Sequence, residues 1–212
     1  MTELYLIRHG QTVYNVQQRI QGMADSELTA KGIADAKALG RGFQKAGLVF
    51  DQAFASDLKR AKDTAELALT AADQYLPLRI DLGLCEEDYA HFEGQPQSAR
   101  REALIALLPT SQLEQLLPVA NGVHQLDADA EDAQTVQTRF DAAIKRIVAT
   151  DAQNVMVVAH GTVILLWLQL IGYPLNGQTT MHNASVTQIH CQAGHFDVLE
   201  FDSLKYLESG RH

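Results

Sequence analysis

Two segments far apart in the chain end in the same way, and together they limit the fold more than any other feature. Leu4-Tyr5-Leu6-Ile7 runs unbroken and apolar into Arg8-His9-Gly10, and Val155-Met156-Val157-Val158-Ala159 runs into His160-Gly161. A short continuous apolar run closed by glycine predicts a strand buried on both faces, as in a parallel sheet flanked by helices. Open α/β sheets bind ligands beyond the carboxyl ends of their strands. A single histidine after a strand is more often a surface or capping residue than a catalyst. Two of them, about 150 residues apart, predict two imidazoles at one sheet edge, with Arg8 as an adjacent anion clamp.

The 212 residues suit one α/β domain, and 46% hydrophobic content supplies a substantial core. With 20% charged residues the chain is not of the disordered type. A net charge of -9 argues against a nucleic-acid or membrane-surface binder, yet leaves room for a local cationic pocket. Cys85 and Cys191 stand alone and form neither a disulfide framework nor a zinc-ligand array. No charged-then-apolar leader opens the sequence, and the longest apolar stretch, Val163 to Leu168, is too short to span a bilayer. A cytoplasmic protein, monomer or homodimer, is the expectation.

Between the two strands the pattern alternates. The polar stretch from Val16 to Leu28 reads as a loop following the first strand, in which Arg19 is expected to be solvated. Thr29 caps a helix to Lys45 with Ile33, Ala36, Leu39, Gly40 and Phe43 inward, and Gly47 ends it. Phe50 to Ala55 is a strand, and a second helix starts at Ser56 or Asp57 as cap. Arg60 falls in its first turn, where free N–H groups and the helix dipole favour anions. Leu78 to Asp81 is a short strand. Pro96, Pro109 and Pro118 break the segment from Gln95 to Leu126 into two short helices. A helix from about Glu131 to Ala149, a very apolar helix after His160, a hairpin around Gln192-Ala193-Gly194 and a frayed tail complete the chain.

Arg8-His9-Gly10 with Thr12 and Asn15, then Arg60, Glu86 and His160-Gly161, resemble the histidine phosphatase superfamily, also called the phosphoglycerate mutase-like family, from Leu4 to about Phe201. Ser56, Arg60, Thr64 and Ala65 match its Ser-x-x-x-Arg-x-x-x-Thr-Ala motif. Its Leu-x-Glu-x-x-x-Gly-x-x-Glu-Gly motif, counted back from Glu93-Gly94, places the proton donor at Glu86. Ala90 stands where the family has glycine, and Glu87 is the alternative donor if the loop slips by one. Gln21-Gly22 matches the segment that binds phosphate and substrate, and Asn183-Ala184-Ser185 resembles a stretch near the pocket. The resemblance implies a three-layer α/β/α sandwich with a mostly parallel central sheet. It is a single domain, 1–212, with a cap-like insertion at about 95–126.

Phosphate-ester hydrolysis needs an in-line nucleophile, cations on the equatorial oxygens and a proton for the leaving group. The resemblance implies His9 as the nucleophile forming a phosphohistidine. Arg8, Arg60 and a protonated His160 hold the phosphoryl oxygens, and Glu86 is the acid and then the base. Asn15, Gln21, Gly22 and Gly161 are the expected phosphate- and substrate-binding residues, and His91 is a further candidate contact. No His-Glu-x-x-His or Cys/His spacing calls for a metal. The expected partner is a small phosphorylated metabolite, with no nucleic acid, no membrane and no cofactor. The alternatives are a phosphoglycerate mutase, which would use 2,3-bisphosphoglycerate, and a non-catalytic phosphate- or phosphopeptide-binding scaffold. The segment after Gly94 offers only Arg100-Arg101 as basic residues, which favours a phosphatase. Fructose-2,6-bisphosphatase and α-ribazole phosphatase specificities both stay open.

Overall fold

The computed structural model describes residues 1–150, 152–175 and 179–212. The strands are β1 (Thr2–Arg8), β2 (Gln52–Ala55), β3 (Leu78–Ile80), β4 (Asn154–Ala159), β5 (Val186–Gln192) and β6 (His195–Ser203). They lie side by side as β3-β2-β4-β1-β5-β6. The two apolar runs are therefore the two central strands. The β3, β2, β4 and β1 ladders are parallel, and β5 and β6 add an antiparallel edge. β1 and β4 pair from Glu3 with Asn154 to Arg8 with Ala159. The next amide continues the ladder, with His9 N donating to Ala159 O at 3.0 Å. His9 and His160 thus leave the same sheet edge because their strands are parallel and in register up to the last pair, Arg8 with Ala159.

The helices are α1 (Val13–Val16), α2 (Ala30–Lys45), α3 (Lys59–Ala71), α4 (Gln97–Ile105), α5 (Leu116–Leu126), α6 (Ala133–Val148), α7 (Gly161–Leu170) and α8 (Lys205–Arg211). Side chains alternate across a strand, so β1 and β4 feed two cores. Leu4, Leu6, Val155 and Val157 pack with Phe140, Ile144 and Ile147 of α6 and with Val163 to Leu168 of α7. Tyr5, Ile7, Met156 and Val158 pack with Leu39 and Phe43 of α2 and with the alanine face of α3. This is the expected three-layer arrangement. A third, smaller cluster joins Leu104, Leu113 and Val123 of the 97–126 region to Ile20, Tyr89 and Phe92. Among the described residues no helix is long and apolar enough to cross a membrane.

Several local expectations are corrected. The tail is not frayed: α8 lies on α2, with Arg41 Nε donating to Gly210 O at 2.8 Å. Ile33 is 38% exposed rather than inward. Neither Ser56 nor Asp57 caps α3, whose N-cap is Leu58 without a side-chain bond. Both are engaged elsewhere, Ser56 by His160 and Asp57 by the Cys85 thiol. Pro118 does not break a helix, because it sits in the first turn of α5, where its missing N–H costs nothing.

Candidate active site

The carboxyl ends of β1 and β4 open into a cavity of about 120 Å³. Arg8, His9, Asn15, Gln21, Glu86 and Gly161 line it, together with Arg19, Ile20, Tyr89, Gln97, Arg100 and Thr162. The two imidazole centroids are 5.2 Å apart. His9 is 4% exposed, and its Nδ1 lies 2.8 Å from Gly10 O. A carbonyl only accepts, so Nδ1 carries the hydrogen and the Nε2 lone pair is free. Gly10 is fixed in turn by its N–H, which donates to Thr64 Oγ1 at 2.9 Å, and Thr64 Oγ1 donates to Arg60 O at 2.7 Å. Burial, then the charges of Arg60 and Arg8, hold the His9 imidazolium well below its usual range. The His9 ring is therefore neutral at pH 7, with Nε2 unshared.

The expectation of a protonated His160 is corrected. It is fully buried, and burial followed by the Arg60 charge keeps its ring neutral. Its Nε2 meets Ser56 Oγ at 2.7 Å, and its Nδ1 has no partner among the described residues. Arg8 Nε and Arg60 Nε likewise lack partners among them, while Arg8 Nη1 donates to Met181 O. Buried polar atoms are normally satisfied, because an unpaired one costs about 1–3 kcal/mol. Three unpaired nitrogens on residues grouped about His9 are the arrangement an incoming oxyanion would satisfy.

Arg60 does not stand on the cavity wall. It is completely buried, and its Nη atoms donate to Gly22 O at 2.7 Å, Ala24 O at 3.1 Å and Asp25 Oδ1 at 3.1 Å. Only its Nε remains free. Gly22 is likewise off the wall and serves packing: a Cβ there would lie 2.1 Å from Glu87 O. Gln21 does line the cavity, tied by Nε2 to Ser26 Oγ at 3.0 Å and by Oε1 to Thr12 Oγ1 at 2.7 Å. Asn15, also on the wall, is held by Oδ1, which accepts from Thr12 N and from Asn183 Nδ2, both at 3.1 Å.

Glu86 sits at the amino end of α7. Its Oε2 accepts Thr162 N at 3.0 Å, and its Oε1 accepts Val163 N at 2.9 Å and Glu87 N at 3.0 Å. A carboxylate suits the positive end of a helix. Glu87 faces away: it is buried, is not on the wall, and its Oε1 has no partner. Burial, then the neighbouring Glu86, pushes its acid up to about 8. Of the two adjacent acids, Glu86 alone reaches the cavity. His91 does not touch it, being exposed and paired with Asp127 at 2.5 Å.

Arg19 is exposed, as expected, and it also lines the cavity and donates to Gly94 O at 2.7 Å. Sequence reasoning also missed the cavity roles of Tyr89, Gln97, Arg100 and Thr162. Tyr89 OH is 2.9 Å from Thr162 Oγ1, and the Arg100 guanidinium lies 5.3 Å from the Tyr89 ring centre. The one available signal was Arg100-Arg101, a basic pair in an otherwise neutral segment.

The model of the histidine phosphatase superfamily (branch 1) matches residues 4–203. A phosphoglycerate mutase structure from Bacillus anthracis str. Sterne is similar over 100% of this chain and 97% of that one, at 32% identity and a TM-score of 0.91. A mycobacterial glucosyl-3-phosphoglycerate phosphatase, solved with VO3, is similar over 96% and 100% at 27% identity and a TM-score of 0.76. A 2,3-bisphosphoglycerate-dependent phosphoglycerate mutase of Afipia carboxidovorans is 41% identical over 92 residues, which span 43% of this chain and 44% of that protein. The match thus spans less than half the length of that relative. The chain belongs to branch 1 of the histidine phosphatase superfamily.

Proposed function

We propose that the protein hydrolyses small phosphate monoesters through a phosphohistidine on His9. The observation that carries this is the free Nε2 lone pair of a buried, neutral His9 beside unpaired nitrogens of Arg8, Arg60 and His160. His9 Nε2 attacks phosphorus, forming the P–N bond as the P–O ester bond breaks. The leaving oxygen takes the proton of Glu86. Water then attacks the phosphohistidine, Glu86 takes the water's proton, and the P–N bond breaks to release phosphate and neutral His9. Arg8, Arg60 Nε and His160 Nδ1 offset charge on the phosphoryl oxygens within a buried site, where such contacts count most.

A second reading is supported by Arg19, on the loop after α1, and Arg100, on α4, two cations that line the cavity in addition to Arg8. Such a pair would hold the far anionic group of a bisphosphate, as a phosphoglycerate mutase requires. In that case the same phosphohistidine returns its phosphate to a second hydroxyl instead of to water. The mutase names of two relatives support this reading, and the phosphatase name of the third supports the first. The test is turnover of an aryl phosphate and of 3-phosphoglycerate, each with and without 2,3-bisphosphoglycerate. Hydrolysis of both without the bisphosphate is expected. Interconversion of phosphoglycerates that appears only with it would replace the phosphatase by the mutase. A stable Kd for phosphate with no turnover and no acid-labile phosphoenzyme would leave a binding scaffold.

A further inference from the structure

Glu93 takes no part in the chemistry above, yet its carboxylate accepts four backbone amides. Oε2 receives Gly22 N at 3.1 Å and Ala24 N at 2.9 Å, and Oε1 receives Met23 N at 2.9 Å and Tyr89 N at 3.1 Å. Three successive amides converging on one carboxylate form an anion-binding nest, here filled by the protein's own side chain. The close fit requires glycine at 22, where a Cβ would come within 2.3 Å of Glu93 Oε1. The opposite face of the same loop holds Arg60. The Gly22–Met23 peptide unit gives its N–H to Glu93 and its C=O to Arg60 Nη2 at 2.7 Å. One peptide group therefore bridges a carboxylate and a guanidinium, and each end polarises the other.

We propose that Glu93 is a positioning residue for the reaction: through the 22–24 loop it fixes the Arg60 guanidinium behind His9 and His160, and through Tyr89 N it ties that loop to the segment carrying Glu86. Its link to turnover rests on the phosphatase reading, but its effect on Arg60 does not. Both Nη atoms of Arg60 depend on carbonyls or on a carboxylate of residues 22–25. If the loop loosens, the free Nε is no longer held in one place. Asp25 alone cannot replace the clamp, because it reaches only Nη1.

The experiment uses Glu93→Gln, Glu93→Asp and Arg60→Lys in the full chain. The Nε–H resonance of Arg60 is assigned by its absence in Arg60→Lys, and its exchange with solvent is followed by NMR. Buried in the wild type, it is expected to exchange at least about tenfold faster in Glu93→Gln, with Glu93→Asp between. An unchanged exchange rate in both Glu93 variants overturns the proposal whatever happens to turnover. The second readout is kcat for an aryl phosphate in a double-mutant cycle. Glu93→Gln is expected to cost about tenfold in the wild type and less than about twofold in Arg60→Lys, because a residue acting through Arg60 has little left to act on. Equal losses in the two backgrounds show a role independent of Arg60 and also overturn it. A wild type without hydrolysis sinks the phosphatase reading, and the exchange rate still decides this one. If Glu93→Gln does not fold, Glu93→Asp decides by the same two criteria.

Discussion

Glu86 and Glu87 are adjacent and both buried, and their surroundings make them different. Glu86 is held by amides at the start of α7 and reaches the cavity; Glu87 has an oxygen with no partner. Glu86→Gln should therefore cost most when the leaving group is a basic alkoxide. A loss of about 10²–10⁴-fold is expected for an alkyl phosphate and much less for a nitrophenyl phosphate, measured as single-turnover phosphoenzyme formation. The same dependence in Glu87→Gln instead would reverse the assignment. Glu87 has a different consequence. Its acid is raised from 4.5 to about 8 in the folded protein, so between those pH values the native state holds a proton that the unfolded chain has lost. Stability present at low pH is then lost as pH rises, by up to about 1.4 kcal/mol per unit. Urea unfolding at pH 5 and pH 8 should show Glu87→Gln to be the more stable chain at pH 8, with a flatter profile. A profile parallel to the wild type would exclude a buried neutral acid. The Glu86 register was legible because Glu93-Gly94 anchors the count. The split between the two acids was not, since it depends on which one the α7 amides meet.

Two elements show how backbone geometry overrides pattern. The 3-10 turn Ala90–Phe92 begins at φ +47°, the left-handed region where the family motif places glycine. An L-residue there costs about 1–2 kcal/mol. Ala90→Gly relieves that cost but frees the unfolded chain, an offset of about 0.4–1 kcal/mol. A net gain between about 0 and 1.6 kcal/mol in denaturant unfolding is expected, and a loss would show that the turn is not strained. α8 is the other case. It is short, contains a glycine and carries no long apolar stripe, so its sequence reads as a tail. It is a helix because Gly42 and Gly210 let it lie directly on α2: a Cβ on Gly210 would stand 1.7 Å from Ala38 O. Gly210→Ala should cost about 1–3 kcal/mol through overpacking of rigid backbone, read as a lower thermal midpoint with α-helical signal lost from the tail. A neutral substitution would mean that α8 does not dock so closely.

At the scale of the whole molecule, the cavity lies where the two large sheet cores meet a small third one. β1 and β4 are central strands covered on both faces. α4 rests on the smaller cluster around Ile20, Tyr89, Phe92 and Val123, whereas α5 also packs Ala120, Leu116 and Leu117 against the larger α6–α7 core. Stability is not uniform in such a molecule, and regions with few buried apolar contacts open first. Hydrogen exchange should find α4 opening locally, while β1 and β4 amides exchange only on global unfolding. Because Gln97 and Arg100 reach the cavity from α4, vanadate as a phosphate analogue should slow exchange in α4 and leave β4 unchanged. Equal protection of both regions without ligand would contradict this division.

By itself the sequence determined the two central strands, the two flanking layers and the gathering of Arg8, His9 and His160 at one sheet edge, while Glu86 was placed by the family motif. The reason is local: a doubly buried strand must be apolar throughout, and the residue after its end must leave at the ligand-binding edge. Tertiary structure alone decided the rest. Gly22 was read as a ligand contact, but Glu87 and Glu93 enclose it behind the wall, and the 22–25 segment engages both Nη atoms of Arg60 and leaves only its Nε for a ligand. Arg19 and Arg100 read as solvated charges or a weak basic pair until the fold of residues 97–126 brought α4 over the cavity. The charge state of His160 followed from complete burial beside Arg60, which no spacing in the sequence encodes. Periodicity records which face of an element is covered. It does not record which distant chain covers it, and that decides whether a polar residue meets substrate or backbone.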